Sequence, residues 1–547
     1  MKFFVSRHYI VWVLLAAVAS CILRANVREA GSVKTTLLRT GTPTPTTPNN
    51  SNNTDDHESN VTATAAAAAT KDPLSLYYGD LPGYTGWNRP VRSTAAWYDV
   101  SSSTAQEKAI VGVPFVWTVH CRHVDCQSME ALFDTRAYGP AILPGLVQSH
   151  HNGSYSVTML FHDPGEYVVE IVLAFSNVAP LSTFPVVTTP EPAYEGYLLP
   201  GFPRTVQVVS NQQHSTTTLT TSFQRRDHVL PLCTADNMLE SNTTSALSKA
   251  RWKITKRVRG SGHLPNPWNR TTFAEYRYGL GSIGFQADYF YNDCRLEALS
   301  SLMNQTLHMP DRRRSMIVFI GDSHMRKQHK LFDELFGKVL PSLYLKTNDG
   351  LLVRLPEIRE ALQGLTKSYH ENKLVNIYII FNAGLHEVDI LCSQERVNAR
   401  QRVIAVPDAN FSCTDQYRAN LNNLTELVLG VPSALRVFQS TSAGWLRWGN
   451  FGFAWNPNRI QNYPAAPQAC ADLNAIAYEV MKEYGIPVMD SFWVTRARYD
   501  HREIDMSNDR GKKMVHSGEE VNEVLLREWL SLVLQNALRA SSSHETE

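Results

Sequence analysis

The sequence predicts an α/β protein in which a β-sandwich precedes a larger domain built on a parallel sheet. Three observations predict this. From about residue 95 to 210, apolar positions recur at period two between turn signals, with no helical period. From about residue 311, buried-strand runs alternate with helical patterns. Of 547 residues, 43% are hydrophobic and 19% charged, too apolar for a disordered chain and long enough for several cores.

Lys+Arg is 52 and Asp+Glu 51, a net charge of +1. No basic excess is left to neutralise a phosphate backbone, so no nucleic-acid partner is expected. The one long apolar run, YIVWVLLAAVASCIL, excludes a polytopic membrane protein. Residues 1–8 read as a cytoplasmic tail and 9–24 as a signal-anchor helix, because Lys2 and Arg7 precede the run. The alternative is a cleaved signal with an A-x-A-like site at Ala17-Val18-Ala19. Either route delivers the chain to the secretory lumen. Sequons from Asn49 to Asn423 agree. In that oxidising compartment disulfides are expected; Cys121–Cys126, Cys233–Cys294 and Cys392–Cys413, with Cys470 left over, are one guess at the pairing, which sequence alone does not fix. No zinc-type spacing occurs, so no metal is expected.

Residues 25–75, rich in Thr, Pro and Asn, read as a disordered stem holding the later domains off the membrane. The sandwich is placed at 76–215. Val113, Phe115 and Trp117 alternate first. Tyr155, Val157, Met159 and Phe161 follow the turn His151-Asn152-Gly153-Ser154. Tyr167, Val169, Ile171 and Leu173 follow Asp163-Pro164-Gly165. The run GSYSVTMLFHDPGEYVVEIVL resembles the last strands of filamin-like and neurexophilin-like immunoglobulin-fold modules. No convergent polar cluster is expected in this module, which reads as a spacer or contact domain. Residues 216–310 read as a Cys- and aromatic-rich connection.

The α/β domain is placed at 311–540. Strands are expected at Met316–Ile320, Val375–Phe381, Leu435–Gln439 and Ile486–Met489. After the first strand comes a helix with Leu331, Phe332, Leu335, Phe336 and Val339 on one face. Further helices are expected near 416–429 and 468–484. A last one begins at the capping box Ser517-Gly518-Glu519-Glu520.

Gly321-Asp322-Ser323-His324 stands directly between a strand and a helix. Sites form at the carboxyl ends of strands in open α/β sheets. A Ser at a helix N-terminus has backbone N–H groups at hand to stabilise an oxyanion. Its hydroxyl needs a base. The run FIGDSHMRKQ resembles the first conserved block of the SGNH/GDSL-like acyl-esterases. Within them it resembles the PC-esterase branch of trichome-birefringence-like, Cas1-like and NXPE proteins, through Gly321, Asp322, Ser323 and Arg326. Tyr289-Phe290-Tyr291-Asn292-Asp293-Cys294 resembles the segment leading into that domain.

The resemblance implies an SGNH-like three-layer α/β/α domain after an immunoglobulin-like β-sandwich. It implies Ser323 as nucleophile and His516, ahead of the last helix, as base. It also implies an oxyanion site at Asn382 and the Ser323 N–H, with Gly384 beside it and His386 near the cleft. The family has Asp three residues before that His. Here the position is Lys513, so Asp509 is the first choice for the carboxylate, ahead of Asp505 and Asp500, and Asp500-His501 is a rival acid–base pair. Trp445, Trp448 and Trp455, in a Gly-containing aromatic run, form a candidate glycan platform. The Arg312-Arg313-Arg314 run reads as a solvated charge cluster.

The function so implied is a Golgi-lumenal, single-pass type II O-acyltransferase, O-acetyl by preference, acting on glycan hydroxyls. No tightly bound cofactor is expected. The sequence leaves the acyl donor open, with acetyl-CoA or a carrier as options and a donor-supplying partner as one route. One alternative is a glycan O-acetyl esterase with the same residues. The other is an inactive adhesion protein, secreted or at the cell surface.

Overall fold

The structure is a computed structural model that describes residues 94–102, 108–127, 130–178, 193–210, 230–240, 250–257, 285–348, 350–391, 412–443, 466–498, 517 and 519–544. The expected tail, anchor and stem lie outside these residues. So do His516, Asp509, Asp505, Asp500, His501, Trp445, Trp448, Trp455 and Cys392. No helix among the described residues is long and apolar enough to cross a membrane.

Strands β1 (Tyr98–Ser102), β2 (Lys108–Ile110), β3 (Pro114–Cys121), β4 (Glu130–Tyr138), β5 (Ala141–Pro144), β6 (Leu146–Ser149), β7 (Ser154–Leu160), β8 (Gly165–Val178), β9 (Ala193–Leu198) and β10 (Arg204–Val209) build most of two sheets. One has the order β1-β3-β7-β6. The other is extended past β5 by β12 (Ala250–Arg257) and β13 (Phe285–Tyr291), in the order β13-β12-β5-β4-β8-β10-β2, and β9 also pairs with β8. The short β11 (Leu239–Glu240) belongs elsewhere. All pairings are antiparallel except β10 with β2. The period-two residues meet between the sheets: Phe115, Trp117, Tyr155, Val157 and Met159 face Phe133, Ala137, Tyr167, Val169 and Ile171 in one apolar core. Cys121–Cys126 closes a short loop after β3.

The segment read as a connection therefore supplies two strands. It also makes the second sheet different from a free sandwich face. Val168, Glu170 and Val172 are as buried as Tyr167, Val169 and Ile171. Tyr138, Ile142, Trp252, Ala287, Tyr289 and Tyr291 join one core with Phe319, Val494 and Trp529 of the α/β part. The expectation of no polar cluster in this module is corrected here. Asp134, Arg136 and Glu170 are buried on this face. Arg136 lies 3.5 Å from Glu170 and over the Tyr138 ring, and Asp134 is 2.6 Å from Arg496. Register causes this: Arg136 is opposite Glu170, and Asp134 is two residues along the same face. Glu170 and Arg496 are far from Asp134 and Arg136 in sequence.

The α/β part begins with α1 (Leu299–Leu307) and continues β14 (Ser315–Gly321), α2 (Ser323–Phe336), β15 (Ser342–Lys346), α3 (Leu351–His370), β16 (Asn376–Phe381), α4 (Leu385–Leu391), α5 (Cys413–Leu429), β17 (Leu435–Gln439), α6 (Ala466–Glu483), β18 (Val488–Met489), α7 (Phe492–Ala497) and α8 (Glu519–His544). Five strands are parallel in the order β18-β17-β16-β14-β15, and β11 adds an antiparallel edge at β18. This is an α/β fold with a helix-covered parallel sheet. Val318, Ile320, Ile377, Ile379 and Phe381 face α3, α5 and α6. Ile317, Phe319, Tyr378, Ile380 and Val437 face the layer containing α2 and α8. Phe319 meets Phe332 and Trp529 edge-on or tilted.

The α2 face differs from the expected stripe. Its buried side is Met325, Gln328, Phe332 and Phe336, whereas Leu335 is 36% exposed and Val339 lies past the helix end. Gly337 caps the helix three residues earlier than an apolar count suggests. Cys233–Cys294 is formed, Cys470 is buried, and Cys413 is disulfide-bonded.

Candidate active site

The chain enters the parallel sheet at β14, places β15 on one side and then crosses to β16 on the other. Strand order reverses between β14 and β16, and their carboxyl ends open the crevice where ligands of such folds bind. Gly321 ends β14 and Asn382 follows β16 at this point.

Gly321 is required by closeness. An added Cβ would lie 2.7 Å from Met325 Cβ and 3.4 Å from Asn382 Cβ. Asp322 is the N-cap of α2; its carboxylate accepts the His324 N–H at 2.8 Å, and its carbonyl accepts the Arg326 N–H at 3.0 Å. The Asp322 side chain is thus tied to the helix end. Ser323, the first helical residue, is 6% exposed. Arg326 is exposed one turn further on.

The turn beneath Ser323 is held from β15. Tyr344 Oη lies 3.0 Å from the Gly321 carbonyl and 2.9 Å from that of Asp322. The phenol donates its one hydrogen between two successive carbonyls of the strand-to-helix turn. The Thr347 N–H also donates to the Gly321 carbonyl, at 2.8 Å. Burial, then the Asp322 charge, pushes the Tyr344 phenol up, with Arg326 opposing. Tyr344 stays a neutral donor throughout the physiological range.

Asn382 is buried, and its N–H still bonds the Ile320 carbonyl at 2.8 Å. Its Nδ2 donates to the Gln439 carbonyl at 2.8 Å and lies 3.4 Å from Thr441 Oγ1. One amide hydrogen is firmly engaged and the other weakly, so the weak one is what an oxyanion could take. Gly384 sits flush against Thr441, whose Oγ1 an added Cβ would strike. Thr441 Oγ1 donates to the Ala383 carbonyl at 2.9 Å, and Tyr417 Oη reaches the same carbonyl at 2.8 Å. Gly384 therefore acts here through close packing of its turn. His386 is half-buried on α4.

After β17 the chain is fixed by a buried network. Asn474 grips both the N–H and the carbonyl of Thr441, at 2.7 and 2.9 Å. Asp490 accepts from Ser440 Oγ at 3.1 Å and from the Phe492 N–H at 2.9 Å. The Ala443 N–H donates to Thr495 Oγ1 at 2.9 Å. The polar run Gln439-Ser440-Thr441-Ser442 directly after an apolar strand was the available signal for this network. Tyr344 had no such signal, because it reads as one more strand aromatic.

The candidate base lies in a segment whose described ends are side by side. Arg498, before it, is 2.8 Å from Glu520 in the first turn of α8. Glu520 also accepts the Ala287 N–H of β13 at 2.9 Å. Arg498 lies over the Trp252 ring, 4.8 Å from its centroid, and Trp252 Nε1 donates to the Val494 carbonyl at 3.0 Å. Both ends are thereby anchored to the sandwich sheet.

Gly321, Asp322, Ser323, Arg326, Asn382 and Gly384 thus lie at the carboxyl ends of β14 and β16 or in the first turn that follows. No family model matches the chain, and no curated protein matches it. Among solved structures, the Lin-41 filamin domain is similar at 15% identity, over 21% of this chain and 96% of that one, with a TM-score of 0.16. A putative glycoside hydrolase from Bacteroides vulgatus ATCC 8482 is similar at 8% identity, with a TM-score of 0.14. That match covers 63% of this chain and 58% of the hydrolase chain.

Proposed function

We propose that the chain is an acyl-transfer enzyme of the SGNH/PC-esterase type that moves an acyl group, acetyl by preference, onto a glycan hydroxyl. The observation that carries this reading is Ser323 at the N-terminus of α2, two residues after Gly321, which stands beside Asn382, at the point where strand order reverses. Ser323 Oγ attacks the acyl carbonyl and its proton passes to the base, for which His516 is the candidate. The oxyanion rests on the Ser323 N–H and the weakly held Asn382 N–H. The acceptor hydroxyl then attacks the acyl-serine and releases Ser323. Asp322 Oδ1 already caps α2 through the His324 N–H, and another carboxylate is assigned to orient the base. That role falls to a carboxylate of the 499–516 segment, Asp509 first.

The proposed setting is the Golgi lumen, behind one N-terminal anchor, with an immunoglobulin-like sandwich ahead of the esterase-like part. The two described disulfides support an oxidising compartment. The sequon residues Asn152, Asn304 and Asn423 are exposed, as glycan acceptors must be.

The test is intact mass after brief exposure of the full chain to p-nitrophenyl acetate, with p-nitrophenolate release read from the same tube. The expected result is an acetyl adduct, a release burst, or both, in wild type and neither in Ser323→Ala. Wild-type protein that is folded but shows neither would refute acyl transfer. Transfer to water alone would make the enzyme a glycan O-acetyl esterase.

A further inference from the structure

Gln439 is the last residue of β17. Phe381 is opposite Phe438, so Asn382 and Gln439 follow at the same level, and Gly321 stands beside Asn382 on the next strand. Ile380 and Val437 lie on the sheet face covered by α2 and α8. Side chains alternate along a strand, so Asn382 and Gln439, two residues on, stand on that same face. Gln439 is 1% exposed, and its Oε1 is buried with no hydrogen-bond partner. Its own carbonyl is already taken by Asn382.

Among the described residues several buried side-chain polar atoms have no hydrogen-bond partner, and Gln439 Oε1 is the one that stands beside Asn382 at the carboxyl end of the sheet. The amide of Gln328 is also fully buried and unpartnered, on the Met325–Gln328–Phe332 stripe of α2 that covers this face. Two buried groups able to bond a polar ligand therefore lie in the layer beneath the candidate site. Neighbouring strands are about 4.8 Å apart, so Gly321 and Gln439, two strands apart, are separated by roughly 10 Å at the backbone. The strand carrying Asn382 lies between them.

We propose that Gln439 is an acceptor-binding residue, and that its Oε1 receives a hydrogen bond from a second hydroxyl of a vicinal polyol whose neighbouring hydroxyl takes the acyl group. This deepens the acyl-transfer reading and rests on it. In the transfer step the acceptor oxygen bonds to the acyl carbon and the Ser323 Oγ–acyl bond breaks. The hydrogen of the attacking hydroxyl goes to the base and from there to Ser323 Oγ. That hydroxyl has no further hydrogen to offer. Gln439 must read another O–H, which a vicinal diol supplies and a monohydric alcohol lacks. Water supplies it with its second hydrogen.

The test uses the full chain, p-nitrophenyl acetate as donor, and 1,2-propanediol against 1-propanol as acceptors. Ester products are quantified by mass spectrometry. Wild type is expected to favour the diol. Gln439→Met, close in length but with no acceptor, should lower the diol-to-monoalcohol ratio about tenfold, the worth of one hydrogen bond. The p-nitrophenolate burst, read in parallel, separates a loss of acceptor binding from a loss of acylation. Gln439→Asn, which withdraws the amide oxygen, should lower the ratio as well, and Gln439→Glu should restore it. If water is the sole acceptor, the loss appears as deacylation slowed more than the burst. An unchanged ratio, or an unchanged deacylation rate where only water reacts, overturns the proposal. So does an equal fall for both alcohols, because a merely structural role would produce that. Wild type without Ser323-dependent turnover removes the acyl-enzyme itself, and the Gln439 assignment with it.

Discussion

Trp252→Ala tests whether the sandwich and the parallel-sheet domain are one folding unit. Trp252 is fully buried on β12, meets Tyr289 edge-on, donates to the Val494 carbonyl and carries Arg498 on its ring face. Truncating a buried Trp to Ala costs about 3–5 kcal/mol through lost contacts and the cavity left behind. The abandoned Val494 carbonyl adds about 1 kcal/mol. The sum, roughly 4–6 kcal/mol, is a large share of the roughly 5–15 kcal/mol that holds most domains folded. Native-state hydrogen exchange is the assay, because it reads each strand separately. Amides of β14 and β16 should exchange about 1,000- to 10,000-fold faster in the variant, together with those of β4 and β5. Faster exchange confined to β12 and β13, with β14 and β16 unchanged, would refute the shared core.

Other predictions concern the site and its supports. Gly384→Ala should lower Tm by an overpacking cost of about 1–3 kcal/mol, since Thr441 has to move; an unaltered Tm would show that the turn yields freely. Cys233→Ser with Cys294→Ser opens a link of sequence separation 61, for which chain entropy gives about 4 kcal/mol, to be read as a lower denaturation midpoint. Burial holds the His329 imidazole below its ordinary pKa, against the pull of Asp333. The unfolded chain therefore takes up that proton more readily, and stability should fall as pH drops below about 6.5. His329→Gln should flatten this acid slope in urea titrations at a series of pH values, and an identical slope would remove His329 as its source. Tyr344→Phe removes the hydrogen bond to the turn carrying Ser323. Acyl-enzyme formation should drop about tenfold with the fold intact, and unaltered formation would show that the turn needs no such support.

Local chemistry made much of this protein legible in one dimension. The period-two residues of β7 and β8 are the inner residues of the sandwich because strand alternation is a backbone property. β17 has the bounds its apolar run suggests, and Gly321-Asp322-Ser323 sits at a strand-to-helix turn because Asp caps helices. The compartment made disulfides expected, and the structure decided that Cys121 pairs with Cys126 and Cys233 with Cys294.

Only the tertiary structure decided what covers each face. Asp134 and Arg136 look like solvent-side residues of a strand. They are buried because β12 and β13, from a stretch read as a connection, widen the sheet and present its back to α7 and α8. Tyr344 and Gln439 look like ordinary strand residues. Their meaning comes from strand order, which sets β15 beside the Ser323 turn and leaves Gln439 next to Asn382 with a buried, unbonded oxygen. Sequence periodicity fixes which side of its own strand a residue takes. It carries no information about which distant element packs against that side, because that depends on crossover order and on the apolar area gained when separated segments meet.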